Sequence, residues 1–260
     1  MRKIISIISA VSFIFGMSAC QKKSDVVIHS AADLAGKRIG CQTGTTGELY
    51  IQEEVTGAKL KSFKTGIDAS LDLKNGAIDA IVLDELPAKE IVSRNPDLTI
   101  VNDNFMVESY AVAVKKGNAE LLESINKTIA NLKSSGKYEE LIKNFMPVEG
   151  DIVIPEIDEL NTKDVLKMGT NAAFPPFEFI MGTEVVGFDV AIGKLIAKNY
   201  GKKLKVIDMS FDGLIAALQS GAIDFIAAGM TATEERKQNV DFSEPYYESN
   251  QVIIIRKAVQ

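Results

Sequence analysis

Apolar residues recur along this chain in two rhythms, helical spacing followed by a short continuous run, and the pair of rhythms is written twice. In "TGIDASLDLKNG" the apolar positions Ile67 and Leu71 lie one helical turn apart, and in "SFDGLIAALQSG" Phe211, Leu214, Ile215 and Leu218 keep the same period. Each stretch predicts a helix that stops at a glycine, Gly76 or Gly221, the residue suited to the left-handed position after a helix. The runs that follow, "AIDAIVL" and "AIDFIAA", read as strands of the kind that parallel sheets bury on both faces. The phrases "GAIDAIVLDE" (76–85) and "GAIDFIAAGM" (221–230) share five of their first six letters. Upstream of each, "GKRIGCQTGTTGE" (36–48) and "VLKMGTNAAFPPFE" (165–178) run from a short strand into a loop of glycine and threonine. The order strand, loop, helix, strand, helix, GAID strand therefore predicts two α/β lobes, although any α/β domain reuses such grammar. Between two such lobes, ligands sit beyond the carboxyl ends of the strands.

Composition narrows the chemistry. With 260 residues, 46% of them hydrophobic and 25% charged, the chain can bury one large core or two modest ones. A net charge of -6 with lysine and glutamate evenly scattered offers no basic stripe, so nucleic acid is not expected as a partner. Two cysteines and one histidine leave no disulfide framework, zinc cluster or histidine-centred triad, and no metal or cofactor is expected. Cys41 reads as core packing, and His29, the single histidine, falls in the polar leading segment.

Residues 1–20, "MRKIISIISAVSFIFGMSAC", have a basic start, an apolar run too short to span a bilayer and small residues before Cys20, the layout of an export signal. "MSAC" resembles a lipobox, which implies lipidation of Cys20, with residues 21–30 as a tether; the alternative is an ordinary signal with an incidental cysteine. No later apolar run is long enough to cross a membrane, so attachment is expected only through the lipid, outside the cytoplasmic membrane.

The loops at the strand ends carry the candidate site. In "GTTGELY", Thr45 and Thr46 stand at a helix start, where free N–H groups and the helix dipole favour an anion, or where threonine simply caps the helix. Asp84, directly after "AIVL", offers a carboxylate at the same edge. In "AAGMTATEERKQNVDFSEPYYES" (227–249), Thr231 and Glu234 have capping-box spacing, so a helix is expected to begin there, with Arg236 on its first turns. Arg236 is one of five arginines and can grip a carboxylate with a planar fork, which lysine cannot; the bland reading is a solvated surface pair with glutamate.

"GTNAAFPPFEF", "VVGFDVAIGKLIAK", "FDGLIAALQSGAIDFIAAGMTATEERKQNVDFSEPYY", "LAGKRIGCQTGTTGE" and "LLESINKTIANLKSSGKYEELIKNFM" resemble the extracellular polar amino-acid-binding proteins of ABC importers, solute-binding family 3, from about Asp33 to Lys257. The resemblance implies a type II, two-lobed periplasmic-binding-protein-like fold. It departs from the family in order: members normally begin with the segment matching "VLKMGTNAAFPPFE" and finish with that matching "YEELIKNFM", which here are joined through "PVEGDIVIPEIDELNTKD". A circular permutation is expected, with residues 31–109 and 248–260 in one lobe, residues 110–247 in the other, and 147–164 as the joining linker.

Residue by residue, the resemblance implies that Arg236 holds the α-carboxylate of a free L-amino acid, with Thr46 as a helix-start donor from the opposite lobe and Thr45 beside it. Asp84 takes the α-ammonium, helped by Thr231 and the backbone at Ala228 and Gly229. Phe174 and Phe211 form apolar walls. Asn171 stands where members selective for cationic ligands often carry an acid, which favours a polar or neutral ligand, and Gln42 and Gly47 fall where side-chain contacts are often made. The implied function is amino-acid capture by a monomer and delivery to an ABC permease, without catalysis. The alternatives are an exported enzyme similar to the cyclohexadienyl dehydratases, with Glu178 as proton donor, and a ligand-sensing module.

Overall fold

Gly76 and Gly221 take left-handed backbone, at φ 70° and 79°, and each ends its helix and turns the chain into a buried strand. The computed structural model describes residues 27–258, so the expected export signal, Cys20 and most of the expected tether lie outside the described residues. The first repeat runs β1 (Arg38–Gln42), α1 (Thr46–Glu54), β2 (Lys59–Phe63), α2 (Gly66–Lys74) and β3 (Ala80–Asp84), followed by α3 (Glu85–Arg94) and the long β4 (Leu98–Tyr110). Beyond Tyr110 come β5 (Ala113–Lys115), α4 (Ala119–Ser134) and α5 (Lys137–Phe145). The second repeat then runs β6 (Val165–Thr170), a small antiparallel sheet of β7 (Ala173–Phe174), β8 (Glu178–Met181) and β9 (Glu184–Val186), α6 (Phe188–Asn199), β10 (Lys203–Asp208), α7 (Leu214–Ser220) and β11 (Phe225–Ile226). It closes with α8 (Glu234–Lys237), β12 (Val240–Phe242) and β13 (Tyr247–Arg256).

These strands form two five-stranded sheets with one plan, β2-β1-β3-β13-β4 and β10-β6-β11-β5-β12. In each sheet three parallel strands from one repeat are extended by an antiparallel strand that arrives from the other lobe, β13 in the first and β5 in the second. The chain crosses between lobes after β4 and again before β13, and the crossings run side by side, with Tyr247 paired to Tyr110. Ala31 donates its N–H to the Asp103 carboxylate at 2.8 Å and Lys257 donates to the Asp97 carbonyl at 2.8 Å, so both flanks of the folded region attach to the β4 side of the first sheet.

Periodicity alone did not reveal several features. The sheet of β7, β8 and β9 sits inside the second repeat, with Gly187 at φ 138° passing so close to the Phe177 carbonyl that an added Cβ would lie 2.1 Å from its oxygen. The second GAID strand is only two residues long against five in β3, because the chain turns after Ile226 into the loop at the cleft. Residues 146–164 have no regular structure yet are held down: Val153 donates to the Asn144 carbonyl at 2.9 Å, and Glu159 pairs with Lys203 at 3.2 Å and Lys194 at 3.9 Å. Cys41 is fully buried among Ile39, Ile51 and Val82, as core packing requires, and burial pushes its thiol up to about 12. Among the described residues, no helix is long and apolar enough to cross a membrane.

Candidate functional site

The turn before α1 is locked by its own side chains. Thr45 is the N-cap, accepting from the Glu48 N–H at 3.3 Å and donating to the Gln42 carbonyl at 2.8 Å, while Glu48 reaches back to the Gly44 N–H at 2.7 Å. These bonds hold Thr46, the first helical residue, at the mouth of the cleft.

The cap of α8 corrects the expectation from spacing. Thr233, not Thr231, is the N-cap, its extended backbone letting the hydroxyl accept from the Arg236 N–H at 3.2 Å. "TATE" carries two threonines two apart, and the hydroxyl of Thr231 is engaged elsewhere. Arg236 points inward with only 8% of its surface exposed, so it is not a solvated surface arginine. Its guanidinium donates through Nη1 to the Thr231 carbonyl and through Nη2 to the Gly44 carbonyl of the opposite lobe, each at 2.8 Å, and lies 5.4 Å from the centre of the Phe211 ring. Burial lowers its pKa, and the carboxylates of Glu108, Glu235 and Asp84 act in the opposite direction.

Asp84 ends β3 facing the same space. It accepts from the Tyr110 hydroxyl at 2.5 Å and from Gln251 Nε2 at 3.0 Å, yet burial, with the nearby charge of Glu108, pushes its carboxyl up to about 7. Gln42 and Asn171 meet across the cleft, Nε2 to Oδ1 at 2.8 Å, and Asn171 also donates to the Met209 carbonyl at 2.8 Å. Gly229 takes φ 54° and donates its N–H to Asp189 at 2.9 Å, and a Cβ there would lie 2.7 Å from the Phe174 ring.

A single cavity of about 20 Å³ brings together Gln42, Thr45, Thr46, Asp84, Asn171, Phe174, Phe211, Ala228, Gly229, Thr231 and Arg236, with Glu178 as the remaining lining residue. Gly47 is not in its wall; it packs against Val82 and Gln251.

Two acidic groups escaped the sequence reading. Glu108, 1% exposed on β4, accepts the hydroxyls of Thr46, at 2.7 Å, and Thr231. The other is Asp189 at the start of α6, which accepts from the Tyr246 hydroxyl at 2.6 Å and lies close to Glu178. Glu178 is fully buried beside Asp189 and Thr170; burial and the Asp189 charge push its carboxyl well above the usual range, and burial raises Asp189 to about 6. Hydrophobic periodicity does not mark such acids, because their burial comes from tertiary contacts.

Residues 166–260 match the bacterial extracellular solute-binding proteins, family 3. The arginine-binding extracellular protein ArtP of Bacillus subtilis is 47% identical over 95 residues, 36% of this chain and 37% of that protein. The ABC transporter arginine-binding protein 1 of Escherichia coli is 35% identical over 121 residues, 45% of this chain and 50% of that protein. Among solved structures, holo ArgBP from T. maritima is 51% identical over 33% of this chain and 38% of its own, with a TM-score of 0.32. The chain thus spans half or less of the length of the curated relatives named here.

Proposed function

We propose that this chain, which over residues 166–260 matches family 3 of the bacterial extracellular solute-binding proteins, captures a free amino acid between its two lobes and delivers it to an ABC permease outside the cytoplasmic membrane. The observation that carries this reading is the clamp. Arg236 from one lobe and Asp84 from the other meet in one buried cavity, which offers a zwitterion one partner of each sign. A ligand that touches both lobes favours the closed state by the contacts it makes only there. The bonds Arg236 to Gly44 and Gln42 to Asn171 join the lobes across this cavity, so parting of the lobes to admit a ligand breaks both.

Within this reading Thr46 supplies a helix-start N–H to the carboxylate, and Thr231 with the loop at Ala228 and Gly229 supports the ammonium. Phe174 and Phe211 wall the side chain. Asn171 is uncharged and its amide is already engaged, which favours a polar or neutral ligand; arginine, named for two of the relatives, is the arm that tests this preference.

We propose, too, that the chain is circularly permuted relative to that family and acts as a monomer; the order of its elements supports the permutation. We also propose that Cys20 is lipidated and tethers the protein, which mass spectrometry of the native protein would read as a diacyl modification.

The deciding experiment is a thermal-shift panel of the natural amino acids, in which a ligand at a hundred times its Kd adds about 2.7 kcal/mol of stability. Silence across the panel, with turnover of a prephenate-like acid, would favour the enzyme alternative, for which the buried carboxyl of Glu178 in the cavity wall is the supporting observation.

A further inference from the structure

Glu108 lies two residues before the end of β4, beside the crossing between lobes, and is almost wholly buried. Each carboxylate oxygen takes one hydroxyl proton, Oε1 from Thr46 of α1 and Oε2 from Thr231 of the loop before α8. The two donors come from different lobes and both line the cavity, whereas Glu108 stands behind them and does not. A threonine hydroxyl has a single proton and two lone pairs. With that proton committed to Glu108, each threonine can present only lone pairs to the cavity.

We infer that Glu108 is a positioning residue that makes the hydroxyls of Thr46 and Thr231 acceptors for the ligand's α-ammonium, an inference that rests on the amino-acid reading above. An ammonium has three N–H donors, and Asp84, the two hydroxyls and the loop at Ala228 and Gly229 are the acceptors around it. The carboxylate then falls to the donors that Glu108 leaves untouched, the Arg236 guanidinium and the free N–H groups at the start of α1. Without Glu108 either hydroxyl is free to rotate and donate, and the cavity no longer distinguishes the two ends of the zwitterion through them.

Glu108→Gln tests this directly. The amide keeps one acceptor oxygen but presents N–H donors on its other side, so one threonine must turn its proton into the cavity. Calorimetry compares L-arginine and L-glutamine, each against the same molecule with the α-ammonium replaced by hydrogen and against the amine left when the carboxylate is removed. The variant is expected to lose about tenfold of the preference for the ammonium, while the preference for the carboxylate stays within about twofold. Thr231→Val, which removes one acceptor and leaves the bond between Thr46 and Glu108, is expected to lower the same preference and serves if Glu108→Gln does not fold. An unchanged ammonium preference in a folded variant overturns the inference, as does an equal loss of both preferences, the mark of general damage. Wild-type silence toward every natural amino acid overturns the amino-acid reading itself, and the inference with it.

Discussion

The Arg236 guanidinium crosses the cleft to donate to the Gly44 carbonyl at 2.8 Å, so the lobes are joined by a cation facing a neutral dipole. A carboxylate is a stronger partner than a carbonyl for the same fork. A ligand carboxylate can therefore replace Gly44 without leaving the buried charge unpaired.

Removing that fork should separate binding from folding. Arg236→Ala is expected to weaken amino-acid binding by about 2 to 5 kcal/mol, and Arg236→Lys should also fail, because one ammonium cannot reach two acceptors in the geometry of the guanidinium. Calorimetry reads the affinity and circular dichroism the melting. The clamp is wrong if Arg236→Ala binds as the wild type does, or loses binding only because it unfolds.

Much of this arrangement was legible in the residues. The glycine stops, the Thr45 cap and the carboxylate of Asp84 at a strand end follow from backbone conformation and local hydrogen bonding, which sequence encodes at short range. Glu108 was not legible, because its partners Thr46 and Thr231 are 62 and 123 residues away and meet it only once both lobes form. The cap of α8 was misread for a different reason. Two threonines in "TATE" satisfy similar spacing rules, and only the tertiary engagement of Thr231 decides between them.

Asp84 gives stability and affinity opposite responses to pH. Its carboxyl is raised to about 7 in the fold, so its contribution to stability is fully present below the ordinary carboxylate range and is lost as pH rises through about 7. Asp189, raised to about 6, acts with the same sign. Holding an ammonium requires the ionised form, so affinity should fall below pH 7, by up to about tenfold per pH unit. Melting temperature without ligand and Kd, both measured from pH 5 to pH 8, check the two slopes. Asp84→Asn should flatten both, leaving the part of the stability slope that Asp189 and Glu178 supply. Parallel slopes would contradict the assignment.

Gly229 has no room for a side chain. At φ 54°, with the Phe174 ring 2.7 Å and the Tyr110 ring 3.3 Å from where a Cβ would stand, alanine there must displace an aromatic wall. Gly229→Ala is expected to destabilise the ligand-free protein by about 1 to 3 kcal/mol and to weaken binding at least about tenfold. Denaturant unfolding and calorimetry read the two effects, and an unchanged affinity would mean that Phe174 does not wall the ligand.

The order of elements can be reversed by rewriting the chain. Lys257 bonds to Asp97, just before β4, and Ala31 to Asp103 within it, so the two flanks are separated by six residues of extended chain, roughly 20 Å at about 3.3 Å per residue. A flexible connection of about ten glycine and serine residues from Ala258 to Val27 reaches that far. The matching cut falls between Pro147 and Val148, where Val148 is fully exposed and 149–164 stays attached ahead of β6 with its ion pairs to α6 and β10. A chain running from Val148 through the connection to Pro147 keeps every sheet neighbour and both crossings, the second beginning at Tyr247. It is expected to melt within a few degrees of the natural order and to bind the same amino acid within about threefold. An insoluble product, or a folded one that no longer binds a ligand the parent binds, would mean that this order of elements is required for the fold or the site and is not a permutation of an equivalent one.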